Sequence, residues 1–155
     1  MKSSLESDFI ELIRSLGRSQ GLDDLLTTAF AICYLEPRPV AMEQIAKRTG
    51  YSLASVSNKV RMLESLGIMQ RCSMPGSRKI FLKVDKEMKS MFRALLLKKV
   101  ANLDVVRQRV PQILAENKPR NDEEKAKAIL IEHYCIQAVK IDKILKDALK
   151  KIDDL

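Results

Sequence analysis

The chain has 155 residues, 46% of them hydrophobic and 31% charged, which supports a conventional hydrophobic core and excludes a disordered or low-complexity polymer. Its net charge of +8 points toward a polyanionic partner. No apolar run approaches the ~20 residues needed to span a bilayer: Ala94-Leu95-Leu96-Leu97 is stopped by Lys98-Lys99, and Met1-Lys2-Ser3-Ser4 leads into no signal-peptide stretch.

In chain order, Leu5, Phe9, Leu12, Ile13 and Leu16 recur at helical spacing, predicting an amphipathic helix over 5–16 that ends at Gly17. Residues 22–35 are apolar around most of a helix circumference, predicting a central core helix closed by Glu36-Pro37-Arg38-Pro39, with Cys33 packed as a small hydrophobe. A short helix over 42–49 turns Ile45 and Ala46 inward and ends at a left-handed Gly50; Ser52 then caps a second helix running to about Leu66. Gly67 closes that helix, and 68–74 and 78–84 read as two strands around the turn Pro75-Gly76-Ser77. Beyond Asp85 the pattern is helical throughout, with a kink or stop at Pro111 and a break at Lys118-Pro119-Arg120-Asn121. The last helix, from about Asp122, carries Ile131, Tyr134, Ala138, Ile141, Leu145, Ala148, Ile152 and Leu155 at alternating spacings of three and four, a heptad seam. The fold class is therefore mostly α with a small β-hairpin wing.

The charge is unevenly spread. Residues 42–83 carry eight bases against two acids, a net of +6, whereas residues 1–41 carry four bases against six acids. A local excess of this kind is the footprint of a nucleic-acid-binding element. Three cysteines without CxxC spacing (Cys33, Cys72 and Cys135) fit a reducing, cytoplasmic setting and neither a disulfide framework nor a zinc site. The single histidine, His133, leaves little room for enzymatic chemistry, and no phosphate loop, carboxylate cluster or nucleophile motif stands out, so neither catalysis nor a cofactor is expected.

Helix, corner, helix and hairpin in that order form a helix-turn-helix with a wing. Advancing about 100° per residue from Val56 places Leu53, Val60 and Leu63 beside it on the buried face, and sends Ala54, Ser55, Asn58, Arg61 and Met62 to the other side. Asn58 suits bidentate bonding to adenine, Ser55 can donate or accept, and Ala54 can meet a thymine methyl. Ser52, Lys59 and Arg61 suit phosphates, as do Arg78 and Lys79 just past the wing tip, with Arg71 and Lys83 adding to the field. Winged helices also serve as protein-interaction or RNA-binding modules. The recognition face is polar apart from Ala54 and Met62, which favours double-stranded DNA over that alternative.

The segment TGYSLASVSNKVRMLESLGI (49–68), followed by PGSRKIF (75–81), resembles the winged helix of the MarR family of bacterial and archaeal transcription regulators, more narrowly its GbsR-like branch. There a related serine-rich recognition helix precedes a Leu, a Gly and a Gly-Asp-Arg-Lys wing; Ser77 stands here in the aspartate's place. The likeness covers roughly residues 22–85 well and the flanking helices in layout. It implies a homodimer with interlocked terminal helices, DNA binding through both recognition helices, and repression relieved by a small-molecule effector. The expected layout is an N-terminal dimerisation helix over 1–21, a DNA-binding winged domain over 22–85, and a dimerising helical region over 86–155. The expected function is that of a homodimeric repressor reading DNA through helix 53–66, with the wing at 74–79 on the backbone or minor groove.

Overall fold

The computed structural model describes residues 4–155, so the tripeptide Met1-Lys2-Ser3 read above for a leader lies outside the described residues. Six helices and three short strands follow in the order α1 (Leu5–Ser19), α2 (Asp24–Leu35), β1 (Val40–Ala41), α3 (Met42–Thr49), α4 (Leu53–Ser65), β2 (Met69–Cys72), β3 (Phe81–Val84), α5 (Met88–Glu116) and α6 (Asp122–Asp153). They form two compact units, one ending at Met91 and the other running from Phe92 to Leu155. This is a mostly helical winged fold, as the sequence pattern predicts.

The first unit is built around α2. Asp23 caps it by accepting from the Leu25 and Leu26 amides at 2.9 and 3.3 Å, and its apolar circumference is buried through Leu25, Leu26, Ala29, Ile32 and Cys33. Against it pack Ile45 of α3, Val56, Val60 and Leu63 of α4, and Met69, Leu82 and Val84 of the sheet. Each large side chain withdrawn here contributes about 1.5–3 kcal/mol before entropy is counted. At the far end of α2 the Lys86 ammonium donates to the carbonyls of Cys33, Tyr34 and Glu36 at 2.5, 2.7 and 2.8 Å, satisfying carbonyls that a helix end leaves open. Burial pushes the Cys33 thiol up to about 12.

Several boundaries differ from those expected of the sequence. Gly17 does not end α1; the helix continues to Ser19, and Gly17 is buried where a Cβ would stand 2.3 Å from Thr27 Cγ2. The glycine serves close helix packing, and the left-handed position falls to Gly21 at φ +72°. The sheet has a third strand that the pattern did not reveal: Val40 and Ala41 pair antiparallel with Leu82 and Phe81, giving the order β1-β3-β2. The hairpin strands are shorter than 68–74 and 78–84.

In the second unit, α5 runs through Pro111 to Glu116. Proline near a helix end removes one backbone bond, which the remaining turns tolerate here. Asn121 caps α6 by accepting from the Glu124 amide at 2.8 Å. Arg93 near the start of α5 donates to Asp153 at the end of α6 at 2.8 Å, so the two helices run antiparallel as a hairpin. The buried face of α6 is offset from the expected seam. Ala138, Asp142 and Leu149 are buried, with Leu145, Ala148 and Ile152 partly so, while Ile131, Tyr134, Ile141 and Leu155 remain exposed.

Candidate nucleic-acid interface

The corner between α3 and α4 forms for local reasons. Gly50 ends α3 in the left-handed region at φ +73°, and its amide donates to the Ala46 carbonyl. Ser52 then caps α4, accepting from the Ser55 amide at 3.1 Å while the two hydroxyls meet at 2.9 Å. Val56, Val60 and Leu63 hold α4 to the core at 0–3% exposure. Leu53, placed on that buried face by its angle, is instead 46% exposed, because at the first turn the helix projects beyond the core.

The outward side of α4 presents Ala54, Asn58, Arg61 and Met62, all exposed, with Ser55 half-buried and tied to Ser52. At the wing tip Gly76 takes φ +76°, and Arg78 and Lys79 are both exposed just after it. The Lys79 amide donates to Ser77 Oγ at 3.2 Å, so the serine closes the turn locally. Among the described residues, no carboxylate forms an ion pair with Arg61, Arg78, Lys79, Lys83 or Lys47.

Two other bases are already engaged. Lys59 Nζ lies 3.1 Å from Asp23 Oδ2, on the side of α4 that faces α2. Its position about 60° from Val56 was visible in the same helical arithmetic. Arg71 does not add to the open field: its Nε donates to both Glu64 oxygens at 3.0 and 2.9 Å, and its Nη2 donates to the Ser57 carbonyl at 3.1 Å and to Ser57 Oγ at 3.3 Å. Local patterning could not reveal this clamp, since it joins a strand to a helix. Arg48 of α3 is likewise held, by Glu36 at 3.0 Å and by Glu6. Among the described bases of residues 42–83, those without a carboxylate partner are thus Arg61 on the outward helix face, Arg78 and Lys79 at the wing tip, Lys83 of β3 and Lys47 of α3.

An open cleft of about 400 Å³ adjoins the corner, lined by Ile10 and Ile32, by the charged Glu6, Arg14, Asp24 and Arg48, and by Thr28, Thr49 and Tyr51. Tyr51, half exposed immediately before the Ser52 cap, carried no signal in the sequence pattern. Among the described residues no group of three or more His, Cys, Asp or Glu side chains could hold a metal ion, and no helix is long and apolar enough to cross a membrane.

No family model and no curated protein matches the chain. Among solved structures it is similar to one described as the crystal structure of a transcriptional regulator, with a TM-score of 0.72 at 16% identity over 97% of this chain and 99% of that one. The transcriptional regulator BldR from Sulfolobus solfataricus aligns over 79% of this chain and 81% of its own, with 20% identity and a TM-score of 0.42. The first likeness establishes a shared fold along nearly the whole chain.

Proposed function

We propose that this chain is a sequence-specific, double-stranded DNA-binding transcription regulator of the MarR type, acting as a homodimeric repressor. The observation that carries the reading is the sorting of charge. Within residues 42–83, Arg48, Lys59 and Arg71 are paired with carboxylates, while Arg61 on the same outward helix face as Asn58, and Arg78 and Lys79 past the wing tip, are exposed without an ion pair among the described residues. In a winged helix this is where a duplex docks. Ala54, Ser55 and Asn58 read bases in the major groove; Ser52, Arg61, Arg78 and Lys79 take phosphates. Lys59 acts first through Asp23, bracing α4, and its phosphate role is secondary. The narrower GbsR-like assignment rests on segments 49–68 and 75–81 alone. The likeness to a structure described as a transcriptional regulator agrees with this reading.

The domain layout of the proposal assigns 22–85 to DNA and 1–21 with 86–155 to dimerisation. Leu130, Tyr134, Ile141 and Ile144 of α6 support the latter: their angular positions put them on one flank, at 68%, 61%, 48% and 66% exposure, a stripe a lone soluble chain rarely leaves open. The corner cleft is the seat we assign to a small-molecule effector, and the cytoplasm is the compartment where such a regulator meets its DNA. Footprinting on the duplex upstream of the protein's own gene tests the reading. Protection of a two-fold symmetric site is expected; absence of protection at low salt, with folded protein, rejects it.

A further inference from the structure

We infer that Arg71 is a positioning residue that fixes the recognition helix relative to the wing, and so sets DNA specificity without touching DNA. The inference rests on the DNA-binding reading above. Arg71 sits on β2, paired with Leu82 of β3, in the hairpin that carries Arg78 and Lys79. Its guanidinium spans two turns of α4, from the carbonyl and hydroxyl of Ser57 to both carboxylate oxygens of Glu64. The side chains of Arg71 and Glu64 are only 30% and 26% exposed, so the pair is partly shielded from salt and water. A planar fork bonded at both ends holds distance and orientation together, which a lysine could not do.

Ser57 and Glu64 lie seven residues apart on one side of α4, flanked by Asn58 and Arg61 on the outward side. A hinge of α4 away from the hairpin would change the spacing between the base reader and the wing cations. The clamp opposes that motion. It also withdraws one cation of the wing strand from the open field and offsets it with a carboxylate, so Arg71 serves geometry and not phosphate attraction.

The experiment compares wild type, Arg71→Met, Glu64→Ala, Glu64→Gln and the swapped pair Arg71→Glu with Glu64→Arg, on a footprinted site and on scrambled duplex, across a salt series. The expected result is a roughly tenfold or greater loss of specific affinity for Arg71→Met, a much smaller loss on scrambled DNA, and an unchanged log-log salt slope. Glu64→Ala should also weaken specific binding, although removing a negative charge near a polyanion would by itself strengthen it. The swapped pair should recover part of the loss. Should Arg71→Met unfold, Glu64→Gln, which keeps shape and one acceptor, still reports a weaker form of the same loss. A slope lower by about two units for Arg71→Met in a dimer would make Arg71 a phosphate contact and overturn the inference. Tighter binding by Glu64→Ala, or equal losses on both duplexes, would overturn it too. Wild type binding no duplex rejects the DNA reading itself, and the inference with it.

Discussion

Lys59 reaches across from the recognition helix to Asp23, its ammonium 3.1 Å from Oδ2, while the other oxygen of the same carboxylate caps α2. Burial would raise the Asp23 carboxyl, but the Lys59 bond and the Leu26 and Leu25 amides outweigh it, and the group titrates below its ordinary value. One carboxylate therefore joins the start of the core helix to the middle of the helix that carries the candidate DNA contacts.

That division of labour predicts a ranking. Arg61→Ala should lower the magnitude of the log-log salt slope by about two units in a dimer, one contact per protomer. Lys59→Ala should change it by less, and Asn58→Ala should leave it alone while reducing specific affinity by ~1–3 kcal/mol. Competition binding against scrambled duplex separates the three. An Asn58 effect equal on both duplexes would remove it from base reading.

The contact between α1 and α2 predicts a stability effect far from any DNA. Thr27 is β-branched, 4% exposed, and its hydroxyl donates to the Asp23 and Asp24 carbonyls at 3.2 and 3.1 Å, so it cannot easily retreat from an added methyl. Gly17→Ala should destabilise the fold by ~1–3 kcal/mol. Chemical denaturation measures it, and a neutral or stabilising result would show that the helices separate freely.

These residues also show what the sequence could convey. Caps and helix ends set by neighbours were legible: Ser52 before α4, Gly50 after α3, Gly67 after α4, and the outward angle of Asn58 and Arg61. What depends on partners distant in the chain was not. Gly17 reads as a stop until Thr27 is placed against it, and Val40-Ala41 is a strand only because β3 lies beside it. The α6 face shifted from the heptad because its burial is set by the hairpin, which places even Asp142 inside. Arg71 reads as an open cation in the sequence because Glu64, seven residues earlier, meets it only when β2 packs against α4.

Asp24 predicts an acid response. Hydrogen bonds from Arg18 and then Arg14 hold its carboxyl well below the usual range, at 2.6 Å from each guanidinium. Because the folded value is depressed, the stabilisation is present above the unfolded value near about 3.9 and fades as pH falls through that value toward the folded one. Wild type should therefore lose more thermal stability between pH 6 and pH 3 than Asp24→Asn does. Parallel curves for the two would show that the arginines confer nothing on α1.

The flank of α6 predicts assembly. Sedimentation equilibrium at micromolar concentration should give a dimer, and Tyr134→Glu with Ile144→Glu should give a folded monomer. A monomeric wild type would break the expected symmetry of the binding site.

The central claim, that the outward helix face and wing form a DNA interface, is tested most directly by the salt dependence of duplex binding with and without Arg78 and Lys79. In a dimer these side chains supply about four phosphate contacts, so replacing both by Ala should lower the magnitude of the log-log slope by roughly three to four units while circular dichroism stays unchanged. A slope identical to wild type, or no binding by either protein at low salt, would contradict the account.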